Sequence, residues 1–147
     1  MKKIFPPTHF YTYLLIAAVL HFLLPIKQII SSPYNFLGIL LMVVGIILNM
    51  LADRIFKKLK TTVKPDQKPT ALIDYGPFKI SRNPMYLGMA LFLAGEGILL
   101  GSVMSFVGVL LFVVAMENYF IPDEEKAMAV VFGEEYINYK KKVRRWI

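Results

Sequence analysis

A chain of 147 residues is the size of one domain, but 56% hydrophobic residues and a mean hydropathy of +0.55 exceed the usual soluble range. With no cysteine and two histidines, disulfides, thiolate nucleophiles and Cys or His metal clusters are excluded. The net charge of +7 in so apolar a chain points to loops facing anionic lipid rather than to nucleic acid.

In chain order, the first apolar segment runs from Phe10 to Ile30. As a helix it is about 31 Å long, enough to cross a hydrocarbon core of roughly 30 Å. No small-residue cleavage site follows it, so it reads as a retained span rather than a signal peptide. His21 and Pro25 lie inside it, and Lys27 near its end can snorkel to the interface. His21 reads as a hydrogen-bonded packing residue.

Asn35 to Phe56 is the second span, with Gly38 and Gly45 offering close helix approach and Asn49 as an interior amide. An amide at that depth is expected to bond to a neighbouring helix, or to line a pocket near the cytoplasmic face. Lys57 to Lys79, with Pro65, Pro69 and Pro77, is too irregular to span and reads as a lid or lining loop.

The stretch from Gly76 to Gly88 is polar, turn-rich and basic, and it runs directly into an apolar helix. Pro77 and Pro84 each remove a donor and push Gly76 and Asn83 toward extended geometry, so this is a shaped loop. Pro84 suits the first turn of a helix whose free N–H groups lie beside Arg82 and favour an anionic group. On residue types alone, Lys79 and Arg82 also fit simple contacts with lipid phosphates.

Residues 85–102 and 105–121 form two further spans, joined by so few residues that they must pack as an antiparallel hairpin. Glu96, between Gly95 and Gly97, falls near mid-bilayer, where a carboxyl must be buried, protonated or paired; His21 and Asn49 are its candidate partners, and a substrate contact is an equal reading. Glu117 and Asn118 fall near the inner end of the fourth span. Two basic residues precede span one, eight lie between spans two and three, and six follow span four, so sixteen of the seventeen face one side. That asymmetry places both termini and the long connector in the cytoplasm.

From Asp123 to Ile147 an apolar stripe at three-to-four spacing predicts an amphipathic helix interrupted at Gly133. Lys140 to Lys142, Arg144, Arg145 and Trp146 read as its anchors to the membrane interface, while Glu124 and Glu125 would meet the basic loop.

Two separated motifs then coincide. Gly76-Pro77-Phe78 leads into Arg82-Asn83-Pro84-Met85-Tyr86-Leu87-Gly88, and Glu124-Glu125 is followed by Phe132-Gly133-Glu134-Glu135-Tyr136-Ile137-Asn138-Tyr139. This arrangement resembles the isoprenylcysteine carboxyl methyltransferase and phospholipid methyltransferase superfamily. Its members carry Arg-His-Pro-x-Tyr-x-Gly before a helical hairpin, then Glu-Glu and Phe-Gly-x-x-Tyr-x-x-Tyr after it. The likeness covers roughly the second half of the chain, and Asn83 stands where many members have histidine, which favours a hydrogen-bonding role there over proton transfer.

The resemblance implies an all-α integral membrane enzyme of one domain (1–147), with four transmembrane helices and a C-terminal amphipathic cytoplasmic helix. It implies S-adenosylmethionine as methyl donor, bound by elements 70–88 and 117–147, and a lipophilic acceptor arriving from the bilayer: a prenylcysteine-type carboxylate, a phospholipid amine or a similar lipid. Arg82 with Glu124 or Glu125 would form the charge pair closing the pocket, with Arg82 and Glu125 central to catalysis. Gly76, Phe78, Asn83, Pro84, Tyr86, Glu117 and Tyr136 complete the expected cofactor set, and Tyr136 and Tyr139 would pack over the adenosine or against the hairpin. Competing readings are an NADPH-dependent reductase of steroid-reductase-like type and a non-catalytic four-helix scaffold.

Overall fold

The computed structural model describes residues 6–24, 26–61 and 69–147, and every element in them is helical or a turn. Lys2, Lys3, Pro25, Lys64, Pro65 and Lys68, which entered the charge count and the reading of span one and of the long connector, lie outside these residues.

Helix α1 (Pro6–Leu23) opens on two prolines, which are tolerated in a first turn because its N–H groups have no helical acceptor. It ends seven residues before the expected Ile30. The chain beyond it crosses the far end of the bundle instead, where Ile29 and Ile30 both donate backbone N–H to Gly101 O at 2.8 and 3.0 Å. Val103 N donates to Lys27 O at 3.0 Å, so this irregular stretch has its polar backbone paired. Gly101 has φ +75°, and a Cβ there would lie 2.1 Å from Ile30 O; only glycine fits.

Helix α2 (Leu37–Leu59) runs three residues past its expected end and stops at Lys60, whose φ is +52°. Helix α3 (Pro84–Leu100) carries Pro84 in its first turn as expected. After a turn at Val103–Phe106 come α4 (Val107–Ala115), a widened π turn (Met116–Phe120) and α5 (Ile121–Phe132), which follow one another as one continuous helix. Gly133, at φ +52°, breaks the tail, and α6 (Glu134–Lys142) completes it. Among the described residues, two continuous helices, Tyr34–Leu59 and Val103–Phe132, are long and apolar enough to cross a membrane, and the apolar Pro84–Leu100 is shorter.

Helices α2 and α3 pack antiparallel through reciprocal glycines. A Cβ on Gly38 would meet Gly95 O at 2.3 Å, and one on Gly45 would meet Gly88 O at 2.4 Å. Where the surroundings are as apolar as the side chains, such close backbone approach supplies the dispersion energy that holds helices together. Helix α1 lies antiparallel on α4 in the same manner, with Gly108 against Tyr13 O and Ala17. Leu93, Phe112 and Met116 have no exposed surface and form the core between α3 and α4.

The interior polar residues find other partners than the sequence suggested. Asn49 donates to Gly45 O, one turn back on its own helix, at 3.1 Å, and its amide occupies the space that a Cβ on Gly88 would need. His21 pairs with Ser102 Oγ at 2.8 Å, so neither residue serves Glu96, whose Oε2 is buried without a hydrogen-bond partner among the described residues.

Candidate functional site

The antiparallel packing brings the start of α1, the end of α2, the start of α3 and the start of α5 to the same end of the molecule. There the shaped loop meets them. Gly76 adopts φ +62°, which opens the turn Gly76–Lys79 and drops Phe78 into a buried edge-to-face contact with Phe56, ring centroids 5.4 Å apart. Tyr139 on α6 donates its hydroxyl to Phe78 O at 2.7 Å and so fixes the tail helix to the loop.

A cavity of about 440 Å³ lies between these elements. That is within the roughly 300–1,000 Å³ of small-molecule sites. Phe78, Arg82, Asn83, Pro84, Tyr86, Glu124, Glu125 and Tyr136 line it, as does Tyr139; Gly76 and Glu117 do not. Phe56, Leu72, Met85, Met89 and Phe120 supply apolar wall. Of the predicted lid, Pro69, Ala71, Leu72 and Ile73 line the cavity, and residues 62–68 lie outside the described residues. Asn118 turns back on its own helix to donate to Val114 O at 2.7 Å.

The charged wall is one network. Arg82 Nη2 meets Glu125 Oε1 at 3.0 Å, with both side chains about nine-tenths buried. Of the two acids that the sequence left open, Glu125 is thus the one paired with Arg82, while Glu124 accepts the hydroxyl of Tyr86. Glu125 also receives Arg145 Nε at 3.0 Å, Arg145 Nη2 at 3.0 Å and Lys140 Nζ at 3.1 Å. Arg145 reaches on to Glu117 through Nη1, and Trp146 Nε1 donates to the other Glu117 oxygen at 2.8 Å.

Glu125 lies past the fourth apolar segment, whose expected end is Ile121. Burial alone would raise its carboxyl; the hydrogen bonds from Arg145 and Lys140 and the charges of Arg82 and Arg145 outweigh that and hold it below the usual carboxylate range. Burial and the neighbouring Glu125 push the Tyr136 hydroxyl up to about 12, so it is a neutral donor near pH 7.

The end of the chain departs from its expected place. Arg145 and Trp146 are drawn into this ion cluster instead of standing only at a lipid interface. The backbone follows them: Arg82 N donates to Arg144 O at 2.9 Å, while Ser81 Oγ and Asn83 Nδ2 donate to Arg145 O at 2.9 and 3.1 Å. Asn83 N in turn donates to Ser81 Oγ at 3.1 Å. Sequence reasoning missed Ser81, Lys140, Arg145 and Trp146. The available signal was charge balance, since Glu117, Glu124 and Glu125 outnumber the single arginine assigned to them.

A small-molecule cofactor carrying a carboxylate fits this donor set. Arg82 lines the cavity with its Nε and Nη1 buried and without a hydrogen-bond partner among the described residues. Such groups cost about 1–3 kcal/mol each if left unsatisfied, and an anionic group is the partner a guanidinium fork accepts best.

A family model described as phospholipid methyltransferase matches residues 33–135, short of Lys140, Arg145 and Trp146. An uncharacterized protein of Haemophilus influenzae is 38% identical over 63 residues, which is 43% of this chain and all of that protein. No solved structure matches the chain.

Proposed function

The chain belongs to the phospholipid methyltransferase family, and on that premise we propose that it transfers a methyl group from S-adenosylmethionine to a lipophilic acceptor entering from the bilayer. The observation that carries this reading is the cavity itself, which joins an apolar wall to a charged one holding buried, unpartnered Arg82 nitrogens. The apolar wall suits a lipid tail, and the charged wall suits the polar ends of donor and acceptor.

In this reading the four apolar segments all cross the membrane, with both termini and the cavity on the cytoplasmic side. The basic asymmetry supports that orientation. The acceptor class is a prenylcysteine-type carboxylate, a phospholipid amine or a similar small lipid.

The sulfonium donor supplies a methyl group that is already activated, so the protein's work is orientation and exclusion of water. Arg82 would take the amino-acid carboxylate of the donor, while Glu125 holds Arg82 from behind. Asn83 is committed to Arg145 O and Pro84 fixes the start of α3, so this corner is shaped by the backbone rather than by flexible side chains. Tyr86, held by Glu124, would set the rim near the reacting atoms. Tyr136 and Tyr139 would close the cavity over the adenosine from α6. A general base is not required for a carboxylate acceptor, and Asn83 cannot be one.

Calorimetry on the detergent-purified protein with S-adenosylhomocysteine and with NADPH tests the proposal. Binding of the former alone, weakened by Arg82→Ala and unaffected by change at the exposed Lys141, is the expected result. Binding of NADPH alone would favour a reductase, and binding of neither a scaffold.

A further inference from the structure

Glu125 is shared by three cations, and the division among them is uneven. Arg145 holds it with two nitrogens, one on each carboxylate oxygen, and Lys140 adds a third contact. Arg82 touches it with Nη2 alone, although Arg82 is the most buried of the three. A guanidinium beside a carboxylate ordinarily closes onto it with two parallel hydrogen bonds. Here Arg145 occupies that position, and Arg82 keeps Nε and Nη1 unpartnered among the described residues where it lines the cavity.

We infer that Arg145 is a positioning residue: by clasping Glu125 it prevents Arg82 from folding onto that carboxylate and leaves the buried Arg82 Nε and Nη1 to be paired by an anionic group in the cavity. Three features hold Arg145 to this task. Its outer nitrogen is anchored on Glu117, its carbonyl takes donors from Ser81 and Asn83, and Trp146 beside it donates to the second Glu117 oxygen. The inference rests on the proposed cofactor, whose amino-acid carboxylate would be that anionic group.

The test compares S-adenosylmethionine with its decarboxylated analogue, which differs by the carboxylate alone, in binding to the full-length protein without acceptor. Wild type is expected to prefer the carboxylate-bearing ligand. Arg145→Lys keeps the charge but not the fork, and it should weaken S-adenosylmethionine about tenfold while leaving the analogue within about twofold. Arg145→Ala should do the same more strongly. Trp146 is the only tryptophan in the chain, so its emission reports whether the tail stays docked, and Arg145→Lys should leave it unchanged. If both ligands weaken together, Arg145 is only structural and the inference fails. It fails too if the wild-type preference survives either substitution, or if wild type binds both ligands equally. A wild type that binds neither ligand would instead sink the cofactor reading, and this inference with it.

Discussion

Glu125→Gln is the substitution that most directly tests whether the charged wall holds the tail to the loop. It keeps the shape of a side chain that is 9% exposed, but it removes the charge that four N–H contacts from three cations share. One glutamine oxygen still accepts, while the new NH₂ faces donors. Breaking a buried pair costs about 3–5 kcal/mol because the remaining charge is stranded. Lys140 and Arg145 are 39% and 33% exposed at the side chain and regain water, whereas Arg82 at 10% does not. One stranded cation rather than three places the cost near the lower end, at about 3 kcal/mol. Glu117→Gln, at a side chain 37% exposed, should cost only about 1 kcal/mol. Unfolding in mild detergent followed through Trp146 emission measures both. Equal losses for the two variants, or a loss below about 1 kcal/mol for Glu125→Gln, would refute the idea of a desolvated network.

Because Glu125 is held below its ordinary range, its contribution is complete above the unfolded value of about 4.3 and is lost as pH falls through the lower folded value. Acid unfolding of wild type should therefore show a loss below about pH 4 that Glu125→Gln lacks. Gly95→Ala would put a Cβ 2.5 Å from Gly38 O, and forcing α2 from α3 should cost about 1–3 kcal/mol by the same unfolding assay. Asn83→Leu removes one of the two donors to Arg145 O and should weaken S-adenosylhomocysteine binding by about 0.5–1.5 kcal/mol. Asn83→His should be tolerated with a flat pH profile, and a rate gain that follows histidine ionisation would show that a base is needed there.

Much of the site was legible because it rests on local chemistry. Pro84 and Gly76 set the loop whatever surrounds it, while the charge pair of Arg82 came from the motif resemblance, which left Glu124 and Glu125 both open until the geometry chose Glu125. Gly38 and Gly45 were readable as points of close approach, which has few substitutes, but their partners Gly95 and Gly88 were not. The return of Arg145 was not legible: a run of Lys140, Lys141, Lys142, Arg144 and Arg145 has the composition of a lipid anchor, and only tertiary contact separates Arg145 from its neighbours. The early end of α1 was missed because hydropathy continues through Ile26, Ile29 and Ile30, although a proline at 25 removes a donor that another helical turn would use. The partner of Glu96 was misjudged because sequence cannot tell which face of α1 His21 occupies.

The widened turn at Met116–Phe120 governs how tolerant this protein is of changes in length. In a regular helix, residues eight apart such as Glu117 and Glu125 sit about 80° out of phase, at about 100° per residue. A π turn absorbs one extra residue, so the pair behaves as if seven apart and falls about 20° from alignment, within reach of the one guanidinium that both carboxylates receive. An inserted residue between them would rotate one acid about 100° away from Arg145, whatever the identity of that residue. In this segment the number of residues, more than their identity, sets whether the end of the chain can dock.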